Sequence, residues 1–190
     1  MEIDDKTLTL FLMDCMQQVF ERSQKATDKH MIPGTVQRGL KHHGFTYLEV
    51  ITGTIAASSI DIIIYRDGRT TPIFKMNINA KMYTDALQQN DLVYTDAHHV
   101  LVAARIEGFM RTRAKISAGE KKFSLFEIPR LEQIAFKNNQ QRIGRYIYEE
   151  SVDDTLDFFG GVEEIYFQKD GYNKTKVLIY RSQIQGLRFA

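Results

Sequence analysis

Cysteine occurs once, at Cys15, so an internal disulfide is excluded, and no Cys and His cluster at ligand spacing offers a zinc site. Tryptophan is absent and proline occurs three times, and no stretch reads as a linker, low-complexity tract or repeat. No apolar run approaches the ~18 to 20 residues that span a bilayer. The first residues carry Glu2, Asp4 and Asp5, the wrong charge for a secretory leader, which with the lone cysteine predicts a reduced, cytoplasmic protein. Charge of one sign is also missing: Lys and Arg number 25 against 24 Asp and Glu, a net charge of +1 that by itself argues neither for nor against nucleic acid. What remains is an ordinary apolar fraction of 43% in 190 residues. That predicts one domain (1–190), long enough to bury roughly 70% of its unfolded surface.

The richest stretch runs from Ser58 to Lys81. Two β-branched runs, Ile60 to Tyr65 and Ile73 to Ala80, flank the turn signal Arg66-Asp67-Gly68-Arg69 and predict a hairpin. Alternation puts Asp61, Ile63 and Tyr65 on one face of the first strand, and Lys75, Asn77, Asn79 and Lys81 on one face of the second. A turn centred near Gly68 to Thr70 sets Asp61 across from Asn77 or Asn79. A carboxylate, amide oxygens and a lysine then meet on one surface, a chemistry suited to a hard cation such as Mg²⁺.

This arrangement resembles the core of the PD-(D/E)xK nuclease superfamily, to which most type II restriction endonucleases belong. Asp61 matches the family aspartate, and Asn79-Ala80-Lys81 matches the acid-x-lysine doublet with Asn in place of the acid. Ile60 stands where the family often has proline. In a second register Asn77-Ile78-Asn79 occupies the doublet, which also replaces the lysine and implies lost catalysis. The resemblance covers roughly residues 35–109 and implies an α/β fold: a central mixed β-sheet flanked by helices around a restriction-endonuclease-like core, to which a C-terminal β-hairpin is added here. It implies a site-specific endodeoxyribonuclease acting on double-stranded DNA, a homodimer by analogy, with Mg²⁺ as cofactor and Mn²⁺ as substitute. Asp61 and Asn79 would hold the metal with Asn77, and Lys81 would stabilise the reacting phosphate or orient the hydroxide. Family helices often add an acid before the first strand. Gln37 stands there in this chain, so Glu49 or Glu21 would have to serve.

Periodicity and chain-breaking residues organise the flanks. Thr35 to Phe45 predicts a short helix stopped by Gly44, Phe45 to Thr52 a strand, Met82 to Tyr94 a helix, and His99 to Ile106 a buried strand. Asp4 to Ala26 predicts an amphipathic helix capped by Asp4 or Asp5, with Leu8, Phe11, Leu12, Cys15, Met16, Val19 and Phe20 on one stripe. Ile32-Pro33-Gly34 and Ile128-Pro129-Arg130 are breaks, Leu131 to Phe136 opens a helix, and Phe158-Phe159-Gly160-Gly161 is a turn. A second hairpin pairs Val162–Gln168 with Lys176–Arg181 around Asp170-Gly171. No role for residues 110–190 is legible.

Charge is segregated along the chain. Arg105, Arg111, Arg113, Lys115, Lys121 and Lys122 form a basic stretch with two acids among them, a candidate DNA-phosphate contact or an ordinary solvated surface. Glu149 to Glu164 carries seven acids and no Lys or Arg, which would repel DNA, form a dimer contact or face water. The pairs His42-His43 and His98-His99 diverge on any regular element and favour a structural role over chelation. Residues Asn138 to Arg142 carry base-reading groups or form a solvated loop. Three readings stay open: a nuclease, a degenerate nuclease fold that binds DNA or protein without cutting, and an unrelated α/β binding or assembly module.

Overall fold

The computed structural model describes residues 3–26, 36–54, 56–125, 127, 130–137, 140–153, 155–171 and 175–189. Helix α1 (Asp5–Ala26) forms where the apolar stripe predicts it, and Asp4 caps it by accepting from the Thr7 N–H at 2.8 Å and the Thr7 hydroxyl at 2.8 Å. Four strands follow: β1 (Val36–His42), β2 (Phe45–Gly53), β3 (Ala57–Arg66) and β4 (Pro72–Met82). A short helix α2 (Thr84–Gln89) leads to α3 (Tyr94–Ser117), and four more strands close the chain: β5 (Leu131–Phe136), β6 (Arg142–Val152), β7 (Phe158–Lys169) and β8 (Lys176–Arg188). Among the described residues the protein is thus an α/β protein of three helices and one eight-stranded sheet, ordered β1-β2-β3-β4-β8-β7-β6-β5.

Every pairing in that sheet is antiparallel, so the mixed sheet expected above is not formed. Each long helix is followed by its own four-stranded meander, and the two meanders join at the β4–β8 seam, where Ile78 pairs with Ile184. Hairpins explain six of the seven pairings, because a parallel neighbour would require a long crossover and these strands follow one another directly, while β4 and β8 meet antiparallel at the seam without a direct connection.

Four predicted elements change type. The stretch read as a helix at Thr35–Phe45 contains β1, and His43 and Gly44 form its hairpin turn with φ of 50° and 79°. A glycine at positive φ ends a helix or makes a two-residue β-turn, and here it does the second. The strand predicted at His99–Ile106 lies inside α3, where Ala97, Val100, Leu101, Ala104, Arg105, Gly108, Phe109, Thr112 and Ile116 are buried at helical spacing. Leu131–Phe136 is the edge strand β5 and opens no helix, and Phe158–Gly161 begins β7 instead of turning. The predicted β3–β4 and β7–β8 hairpins and the strand at Phe45–Thr52 are present. The break at Ile32–Gly34 lies outside the described residues.

Helices and sheet make two layers with one core between them. Its sheet side comes from Tyr47, Ile62, Ile64, Phe74, Met76, Ile78, Tyr148, Phe159, Ile165, Phe167 and Ile184, and its helix side from Leu8, Leu12, Met16, Val100 and Phe109. Phe20 of α1 stacks on Phe109 of α3 at 6.2 Å, and Phe11 packs on Phe45 at 5.4 Å. Both long helices therefore lie on one side of the sheet. Among the described residues no helix covers the other side, and alternate residues there reach solvent.

Candidate functional site on the open sheet face

Strand register sorts the open face into rows that cross β2, β3, β4, β8 and β7. The first row is Leu48, Ile63, Lys75, Leu187 and Phe158, each directly opposite the next. The second is Val50, Asp61, Asn77, Gln185 and Gly160, and the third is Thr52, Ser59, Asn79, Gln183 and Val162. A fourth row sets Lys81 beside Arg181 and Glu164. The face therefore grades from a mainly apolar row that includes Lys75, through amides beside Asp61, to the charges of Lys81, Arg181 and Glu164.

The first two rows enclose a shallow depression of about 460 Å³, lined by Val50, Ile63, Phe158 and Leu187 with Asp61, Asn77 and Gln185. Phe158 is 73% exposed and Leu187 41%, and the two sit side by side on adjacent strands. Lys75 lies beside Leu187 in the same row, its ammonium 5.7 Å from the Phe189 ring. Large apolar side chains placed together on an open sheet need an explanation that singly exposed ones do not.

Asp61, Asn77, Asn79 and Lys81 do share this face, as alternation predicts. Asn77 opposes Asp61 and its amide donates to the Asp61 carboxylate at 2.7 Å and to the Ser59 hydroxyl at 3.0 Å. Asn79 in turn donates to the Asn77 amide oxygen at 2.5 Å. Asp61, Asn77 and Asn79 thus form a hydrogen-bonded ladder in which the Asn77 amide points its N–H at the carboxylate and its oxygen at Asn79, whereas a Mg²⁺ shell requires oxygens aimed at a common point. Lys81 opposes Ala57, four residues along β3 from Asp61, or roughly 13 Å of strand. Its ammonium sits 5.1 Å from the Tyr83 ring.

The other predicted ligands are elsewhere. Glu49 is buried on the helix side of β2, where its carboxylate accepts from the Tyr47 hydroxyl at 2.8 Å. Burial and the adjacent Glu49 push the Tyr47 phenol well above its ordinary pKa. The sheet separates Glu49 from Asp61, and the Glu21 side chain lies outside the described residues. Among the described residues no three His, Cys, Asp or Glu side chains gather at a potential metal position.

Nor does the basic stretch lie beside Asp61. Arg105 is buried and grips Glu163 through both carboxylate oxygens, so it is not a phosphate contact. Arg111 bonds Glu107 at 2.9 Å, Arg113 bonds Asp14 at 2.6 Å and Gln17 at 3.0 Å, and Lys115 bonds Glu127 at 2.8 Å. Lys121 and Lys122 are exposed just beyond α3, on the helix layer. The acidic segment is similarly engaged, with Glu149 bonded to Lys176 at 2.7 Å and Glu164 3.6 Å from Arg181. His98 is half-buried on α3, and burial together with the Arg105 charge lowers its pKa, while His99 next to it is exposed.

Phe158 and Leu187 are the site residues that sequence reasoning missed. Phe158-Phe159-Gly160-Gly161 reads as a turn because of its glycines, yet Phe158, Gly160, Val162, Glu164 and Tyr166 keep strict alternation along β7. That alternation was the available signal. No protein-family model, no curated protein and no solved structure matches this chain. Among the described residues no helix is long and apolar enough to cross a membrane.

Proposed function

We propose that this chain is an interaction module that works through the open face of its sheet, with Phe158 and Leu187 as anchors. One observation carries the reading: these two exposed apolar side chains adjoin a depression lined by the amides of Asn77 and Gln185 with Asp61 and Lys75, on a face that no described helix covers. Recognition surfaces likewise rest most of their binding energy on a few apolar, often aromatic, anchors set among polar groups. Thiol accessibility tests it, since the native Cys15 is buried. Gln185→Cys on the open face is expected to be protected from maleimide in intact cells of the source organism, while Glu107→Cys on α3 is labelled. Equal labelling of the two positions defeats the proposal.

A metal-dependent endonuclease is a second reading, favoured by the presence of Asp61, Asn77, Asn79 and Lys81 on one face. In that reading Asp61 and Asn79 would hold Mg²⁺ or Mn²⁺, double-stranded DNA would cross the face of a restriction-endonuclease-like core, and Lys81 would have to move towards Asp61. Incubation of mixed-sequence plasmid and phage DNA with either metal decides it. Discrete fragments lost in both Asp61→Ala and Lys81→Ala would establish the nuclease; intact DNA would remove it.

A further inference from the structure

We infer that the occupant of the open face is a second copy of this chain, packed sheet to sheet about a twofold axis that runs parallel to the β4–β8 seam. The inference rests on the reading of that face as the recognition surface and names the partner.

Its basis is the symmetry of the rows about the seam. β4 and β8 flank it, and β3 and β7 lie one strand further out on either side. A twofold along the seam brings β3 of one copy over β7 of the other and β4 over β8, and the rows then fall on themselves. Ile63 of one copy meets Phe158 of the other, and the aliphatic stem of Lys75 meets Leu187. In the next rows Asn77 meets Gln185 and Asn79 meets Gln183. An amide carries both donor and acceptor, so amide faces amide without leaving either group unmatched. Asp61 comes to lie over Gly160, where no side chain intrudes on its bond from Asn77.

Charge agrees with this occupant, and area limits its strength. The three rows inside the charged one span about six residues on four strands, a plate of roughly 400 Å² before side-chain relief is counted, which is below the ~800 Å² per partner of a standard interface and makes this a weak, concentration-dependent dimer. The plate's inner rows carry one acid and one base, Asp61 and Lys75, so no net charge there opposes self-association, and its aromatic anchor has a complementary β-branched target in the same row. Lys81 and Arg181 would meet like charges, but they stand in the last row, and sheets packed at about 30° diverge towards their ends. The charged row thereby sets the limit of the contact.

Sedimentation equilibrium over about 1 to 100 μM tests the inference, combined with maleimide labelling of Gln185→Cys in purified protein and in cells. The expected result is a mass that rises with concentration towards twice that of the monomer, reduced to the monomer in Phe158→Glu and in Leu187→Glu, with far-UV circular dichroism unchanged. Lys121→Glu on the helix layer is expected to stay dimeric. The Gln185→Cys thiol should be protected at high protein concentration and exposed on dilution. A purified monomer whose thiol is protected only in cells overturns the second copy and keeps the open-face reading with another partner. A monomer labelled equally everywhere overturns both. A dimer that survives Phe158→Glu and Leu187→Glu overturns this interface and points to the β5 edge, where Ile134 and Phe136 are exposed.

Discussion

Arg105 and Glu163 meet in a fork, Nε to Oε1 at 2.9 Å and Nη2 to Oε2 at 2.6 Å, with both side chains buried between α3 and β7. Tyr148 donates to Oε1 at 2.9 Å and Ser182 to Oε2 at 2.6 Å, so the carboxylate on β7 is fully engaged by its two neighbouring strands and a helix. The pair fixes where α3 sits on the sheet. Removal of one partner strands a buried charge, and Arg105→Met is expected to cost about 3–5 kcal/mol in urea unfolding. The double variant Arg105→Met/Glu163→Leu should recover most of that loss, because the strain lies in the unpaired charge. Equal destabilisation of single and double variants would show that packing, and not the charge, is at stake.

The same pair predicts a pH dependence. Burial alone would raise the Glu163 pKa, but the Arg105 charge, with hydrogen bonds from Arg105, Ser182 and Tyr148, overrides it and holds the carboxyl below its ordinary value. A depressed carboxyl stabilises the fold above its unfolded pKa and loses that contribution as pH falls through the folded one. Stability should therefore be insensitive to this group from pH 7 to about 5 and decline below about 4.5. The Arg105→Met/Glu163→Leu chain should show a flatter acid limb in urea midpoints measured from pH 7 to 3. Superimposable limbs would remove Glu163 as the titrating group.

Gly186 is held glycine by an aromatic ring. A Cβ there would lie 1.9 Å from Cε1 and 2.3 Å from Cζ of Phe159, which is itself stacked at 6.1 Å on Phe74 in the core. The ring cannot retreat without disturbing that stack, so Gly186→Ala is expected to lose about 1–3 kcal/mol. Phe159→Leu combined with it should cost less than the sum of the two single changes, since the smaller side chain clears the site. Additive losses in thermal melts would place the clash elsewhere.

What the sequence made legible follows from which signals are local. α1 was readable from a sustained stripe and a capping aspartate, and β2, β3, β4 and β8 from alternation bounded by turn residues. Alternation also put Asp61, Asn77, Asn79 and Lys81 on one face, but it carries no register. The irregularity between Ile64 and Tyr65, where Tyr65 pairs with Pro72, decides that Asp61 meets Asn77 and leaves Lys81 opposite Ala57. In α3 a short β-branched window outweighed a helical period that is plain only over the whole of Tyr94–Ser117. The edge strands β1 and β5 pair on one side only, so tertiary pairing, more than pattern, makes them strands. The two-meander architecture escapes the sequence almost entirely. Tyr47-Leu48-Glu49 on β2 and Tyr148-Glu149-Glu150 on β6 share a spacing and a helix-facing side, too little to announce a repeat.

Cys15 supplies a built-in probe of the fold. It is buried in the α1 stripe, and burial, with the neighbouring Asp14 charge adding to it, pushes its thiol up to about 12. Only the thiolate attacks, so at pH 8 the native thiol should react roughly a thousandfold more slowly than an exposed one even before access is considered. Pulse labelling with maleimide is expected to be negligible in buffer and complete in denaturing urea, with a midpoint that coincides with circular dichroism. Rapid labelling of the native protein would mean that α1 opens independently of the sheet, and labelling would then precede the loss of strand signal. Coincident midpoints would instead make α1 part of the same cooperative unit as the sheet, as its packing against α3 and β2 implies.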